Sequence, residues 1–141
     1  MAQRWQVRMA EAGGIASAGD LHRSGLDDMD VRIRVQYGLL VRVRRGWYAL
    51  PDTPESVVAA CRMGGRLACV SALRLLGEHS ADGDRGDDRR IHVEVPANAV
   101  VRVPPDERER VRLHWARRPS PGDRAVVDAE AARRQALTCD G

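Results

Sequence analysis

Three arginines, Arg42, Arg44 and Arg45, stand in the stretch LLVRVRRGWYAL with no acid between Leu39 and Leu50. A guanidinium is a planar fork that pairs with two phosphate oxygens, or with O6 and N7 of guanine, at once. Clustered in this way, the arginines suit phosphates flanking a DNA groove; a solvated strand face is the plainer alternative. With Arg45-Gly46 as a two-residue hairpin loop, Val43 faces Tyr48 and Val41 faces Leu50. Arg44 then faces Trp47 and Arg42 faces Ala49 on the opposite side, and a longer loop would shift this parity. Trp47 is expected to pack against a neighbouring element or to stack on Arg44. Just upstream, Arg32 and Arg34 are two positions apart, which on a helix separates them by about 200°. Only one of them can face a groove squarely. Gln36 could read adenine through its amide or serve as an ordinary surface residue.

Other constellations carry less. His92-Val93-Glu94 has the H-x-E of zinc deaminases without their P-C-x-x-C partner. In a strand its two outer side chains share a face. Asp82 to Asp88 approach a calcium-loop pattern, but Val93 stands where the twelfth-position Glu is needed. Cys61, Cys69 and Cys139 form no C-x-x-C pair, and the four histidines have no second ligand or nucleophile at a telling spacing. An odd number of cysteines without a secretion signal points to reduced, mostly buried thiols. Every basic residue is Arg and Lys is absent, which excludes ammonium chemistry and the Lys that usually completes a restriction-like nuclease site. There is no Gly-rich phosphate loop and no nucleophile elbow. The sequence is therefore read as non-enzymatic, with no catalytic residue, metal site or cofactor.

The elements that must position the arginines can be read from period and caps. RWQVRMAEAGG reads as a first helix ended by Gly13-Gly14. Ser17 and Asp20 form a capping box for a short second helix that buries Leu21 and stops at Gly25. The next segment, LDDMDVRIRVQYG, is ambiguous. Met29, Val31, Ile33, Val35 and Tyr37 alternate with polar residues as in a strand. Asp27 and Asp30 sit where N-cap and N3 of a helix would be, and Gly38 fits its end. Beyond Asp52, PDTPESVVAACRMGG reads as a helix, RLACV as a short strand and SALRLLG as a helix capped by Ser71. EHSADGDRGDDRR reads as a polar loop. IHVEV, VVRV and VRLHWA read as strands, and DAEAARRQAL as a helix capped by Asp128.

The order helix, helix, helix-or-strand, basic hairpin is that of a winged helix-turn-helix. The stretch GGIASAGDLHRSGLDDMDVRIRVQYGLLVRVRRGWYALP resembles the N-terminal domain of the AbiEi-type antitoxin family. It is most similar to actinobacterial members that also carry a restriction-like (very-short-patch-repair-like) endonuclease domain. The later IHVEVP, VRLHWARRP and VVDAEAARRQAL resemble the linker domain of those proteins. The resemblance implies that Asp28 to Tyr37 is the recognition helix and that the Arg42–Trp47 stretch is the wing. This sequence departs from the family in opening that helix with Asp27, Asp28 and Asp30, and it ends where a nuclease domain would begin in the longer relatives.

The expected fold is thus α/β (α+β): a winged helix-turn-helix over residues 1–52, then a small mixed α/β domain over 53–141. The expected function is that of a DNA-binding, antitoxin-like transcriptional regulator. It would contact double-stranded DNA through Arg32, Arg34, Gln36, Arg42, Arg44 and Arg45, with a cognate toxin and a second copy of itself as further partners. Two alternatives stand beside it: the targeting module of a restriction-like endonuclease, and a winged-helix module that binds protein. No apolar run approaches the roughly 20 residues of a membrane span and no signal peptide is recognisable, so a soluble cytoplasmic protein without a membrane partner is expected.

Overall fold

Two reciprocal capping boxes start the helices that matter most. In the computed structural model, which describes residues 3–78, 90–101 and 103–139, the Ser17 hydroxyl accepts the Asp20 N–H and the Asp20 carboxylate accepts that of Ser17. They open α2 (Ala18–Arg23). Asp27 and Asp30 repeat the exchange at the start of α3 (Asp28–Gln36). Each box satisfies donors that a helix end would otherwise leave unpaired. Before them lie α1 (Arg4–Glu11) and a three-residue strand, β1 (Ile15–Ser17); after them comes the hairpin of β2 (Val41–Arg44) and β3 (Trp47–Ala49). The three strands form one antiparallel sheet in the order β1-β3-β2. Helix, strand, two helices and a hairpin that closes on the first strand make a winged helix-turn-helix. Residues 28–36 are therefore helical, as the caps and the family resemblance imply and against the alternating pattern.

The core beneath α3 gathers Trp5, Met9, Ala16, Leu21, Leu26, Val31 and Leu40, with Val35, Tyr48 and Leu50 packed against it. Val31 and Val35 are four residues apart and lie one turn above the other. Val31→Ala is expected to cost about 1–3 kcal/mol in urea unfolding, and half-buried Val35→Ala about 1 kcal/mol. Equal, near-zero costs at both positions would mean that α3 is docked through another face.

The rest of the chain builds a second sheet. It contains α4 (Glu55–Arg62), β4 (Arg66–Leu67), α5 (Cys69–Leu75), β5 (Ile91–Pro96), a 3₁₀ helix over Pro105–Arg110, β6 (Val111–Ala116) and α6 (Ala129–Thr138). The sheet order is β4-β5-β6. β4 runs antiparallel to β5, while β5 and β6 are parallel with Glu94 opposite His114. Gly65 has no room for a side chain: a Cβ there would stand 2.1 Å from the Glu94 carbonyl oxygen. The surrounding core is made of small and branched residues from both halves of the chain, among them Ile15, Ala49, Val57, Leu67, Val93 and Val127.

Several sequence expectations need correction. Ser71 does not cap α5, whose N-cap is Ala68; its hydroxyl instead accepts the His92 N–H. Val100, Val101 and Val103 form no strand. The acids of 82–88 lie outside the described residues. Among the described residues, no helix is long and apolar enough to cross a membrane.

A long-range ion pair helps to join the two halves. Arg124 donates to both carboxylate oxygens of Asp20, at 3.0 and 3.1 Å. Burial works against the Asp20 charge, but the Arg124 and Ser17 hydrogen bonds and the Arg124 charge outweigh it and hold the carboxyl at about 2. Because this lies below the ordinary 3.8, the stabilisation is complete above about pH 4 and fades as pH falls toward 2. Asp20→Asn is expected to be less stable at neutral pH and to lose less stability between pH 4 and pH 2. Urea unfolding across that range measures both effects.

Candidate nucleic-acid interface

The helix–turn–helix leaves one face of α3 open. Met29, Arg32, Ile33 and Gln36 lie on it, and Tyr37 follows at the C-cap; all five are exposed. Arg34 points the other way. Its guanidinium lies 5.4 Å from the Trp5 ring centroid and donates to the Asp30 carbonyl at 3.0 Å. The helix therefore exposes Arg32 and Gln36 to solvent and keeps Arg34 as packing. Of the three acids at the helix start, Asp27 and Asp30 are occupied by the capping exchange. Asp28 meets His22 Nε2 at 2.8 Å on the surface.

The wing separates its arginines in the same way. Arg44 pairs with Trp47 across the hairpin as the sequence suggests, but a bulge at Val43 places Arg42 opposite Tyr48 and Val41 opposite Ala49. The clean division into an apolar and a basic face is lost. Arg42 and Arg45 are exposed. Arg44 is drawn inward: its Nε donates to the Cys61 carbonyl at 2.8 Å and its guanidinium lies 5.2 Å from the Trp47 ring. Arg124 lies 5.5 Å from the same ring, so Trp47 both packs against the second core and stacks with arginine. The groups presented outward are thus Arg32, Gln36, Arg42 and Arg45. Arg34 and Arg44 hold the frame.

A second grouping escapes the sequence reading altogether. Beneath α5 and α6, Cys69, His92, His114 and Cys139 each bring one side-chain ligand atom into a cluster, all within 4.8 Å of one another. His92, Cys69 and Cys139 are buried. Burial, then the nearby His92 and Arg112, push the His114 imidazole down to about 4, so it is neutral near pH 7. Beside the cluster, Glu94 is buried and fully engaged. It pairs with Arg66 at 2.5 Å and accepts from the Ser120 hydroxyl, the Ser120 N–H and the Gln135 amide. His92 and Glu94 do share a strand face, but Glu94 is tied up in this network. No local spacing could reveal the cluster, because its four members come from four different elements. The available signal was that each histidine and cysteine sits in or beside an apolar run.

No family model and no curated protein matches the chain. Among solved structures, the chain is similar to the RV2827C protein from Mycobacterium tuberculosis, at 23% identity and a TM-score of 0.35. The similarity covers 79% of this chain and 45% of that one.

Proposed function

We propose that this protein binds double-stranded DNA, with α3 in the major groove and the β2–β3 wing on the flanking backbone. The observation that carries the reading is the joint exposure of Arg32 and Gln36 on α3 and Arg42 and Arg45 on a hairpin next to it. Arg32 has the donors to read a guanine edge and Gln36 the amide donor and acceptor to read an adenine edge; Arg42 and Arg45 can each neutralise a phosphate. The resemblance of residues 13–51 to AbiEi-type antitoxins extends the proposal to an antitoxin-like transcriptional regulator. It would act as a homodimer on paired half-sites, with a cognate toxin as its protein partner. The same face would serve equally well as the targeting module of a restriction-like endonuclease.

One observation favours a second reading, a protein-binding winged helix. Met29 is 58%, Ile33 42% and Tyr37 76% exposed. They form an apolar stripe along α3 that thymine methyl groups or an apolar partner could cover. A gel-shift salt titration on DNA upstream of the protein's own gene separates the readings. Retarded DNA at low salt, with affinity falling steeply as salt rises, is the expected result. Absence of any shift at low salt overturns DNA binding and leaves the apolar stripe as a protein contact.

A further inference from the structure

We propose that Cys69, His92, His114 and Cys139 form a structural zinc site that fastens α5, β5, β6 and the end of α6 to one another. The donor set is two thiols and two imidazoles, the composition on which zinc settles in closed tetrahedral sites. The spacing fits. His92 Nδ1 lies 3.0 Å from His114 Nε2, and Cys139 Sγ lies 3.8 and 3.9 Å from those two nitrogens. Bond lengths of about 2.0–2.1 Å to nitrogen and 2.3 Å to sulfur put neighbouring tetrahedral ligands roughly 3.3–3.8 Å apart. Small side-chain adjustments would therefore admit an ion.

Side chains around the cluster fix the backbone that carries two of its ligands. Ligands need outer groups that fix their orientation. Gln135 anchors the backbone that carries the Cys69 thiol: its Oε1 accepts the main-chain N–H of Cys69 at 3.0 Å while its Nε2 donates to Glu94 at 2.9 Å. The Ser71 hydroxyl likewise holds the β5 backbone by accepting the main-chain N–H of His92 at 3.0 Å. Cys69 itself has φ of +53°, and among the described residues it is the sole non-glycine with a positive φ. A left-handed backbone is unfavourable for any residue with a β-carbon. That cost is typically kept where a side chain must be aimed, and here it aims a thiol into the cluster. With four protein ligands no coordination position is left for substrate, so the role is to hold the fold and not to catalyse. Binding releases the two thiol protons, and two thiolates with two neutral imidazoles balance the dication.

The test uses the full chain, purified under reducing conditions without chelator. Elemental analysis is expected to find about one zinc per chain. After chelator stripping, refilling with cobalt(II) should give the visible bands of a tetrahedral site and a near-ultraviolet thiolate-to-cobalt band. Cys139→Ser and Cys69→Gly should each weaken that band and lower cobalt affinity by more than about tenfold; glycine is chosen because it accepts the positive φ. Cys61→Ala, whose thiol lies apart under Arg44, should keep the wild-type spectrum. The proposal is overturned if the wild type takes up no stoichiometric metal or if both ligand variants keep the full spectrum. A Cys69–Cys139 disulfide in the reduced preparation would overturn it equally. None of these readouts depends on DNA binding.

Discussion

Glu94→Ala is expected to destabilise the protein by about 3–5 kcal/mol, the cost of stranding one partner of a buried ion pair. The Arg66 guanidinium is largely buried beside Glu94 and also donates to the carbonyls of Ser120 and Asp123. Those carbonyls carry partial charge only, so they cannot replace the carboxylate. The substitution also frees the Ser120 hydroxyl and the Gln135 amide from their acceptor. Against a total stability of roughly 5–15 kcal/mol this is a large share, and urea unfolding should show a clear drop in midpoint. The exposed pair Arg134–Glu130 is the control: Arg134→Ala should change stability by at most about 0.5 kcal/mol. Equal effects at the two sites would mean that water reaches Glu94 and that the network is not a buried one.

The second large effect concerns salt. Each phosphate neutralised contributes about 0.9 to the slope of log affinity against log salt. The exposed wing arginines are Arg42 and Arg45, so replacing both by Ala should flatten that slope by up to about two units. Between 50 and 200 mM salt such a change separates the two proteins by roughly tenfold. The loss should fall on all duplexes alike. Arg44→Ala should behave differently, because Arg44 is committed to Trp47 and the Cys61 carbonyl: it should lower stability and leave the slope nearly unchanged. Loss of Arg32 or Gln36, if either reads a base edge, should cost about 1–3 kcal/mol at one base position. A double wing variant with the wild-type slope would show that Arg42 and Arg45 are merely solvated.

The ambiguity of α3 has a simple geometric origin. Met29, Ile33 and Tyr37 recur every fourth residue, and so do Val31 and Val35. Two helical stripes, one facing solvent and one facing the core, interleave into strict alternation. Period alone cannot separate that from a strand; the capping acids can, because they act on backbone donors that only a helix leaves unpaired. The winged architecture was legible through such caps and through the resemblance. The three-residue β1 was not, since it is too short to show a period and is held by pairing with β3. Nor was the bulge at Val43, which depends on tertiary contacts. The fates of Arg34 and Arg44 were equally hidden, because each is decided by an aromatic ring on another element. The four-ligand cluster lies furthest from sequence reasoning, since its members meet only once two parallel strands and two helices have packed.

The contacts of Trp47 with Arg44 and Arg124 have a thermodynamic consequence for any complex the wing makes. A hairpin that must order on contact spends part of its interaction energy on lost conformational freedom. Here the β3 end of the hairpin is already held by two guanidinia near the Trp47 ring, one from the hairpin and one from the second half of the chain. The backbone carrying Arg42 and Arg45 would thus meet any such partner preorganised, with only the two side chains left to immobilise.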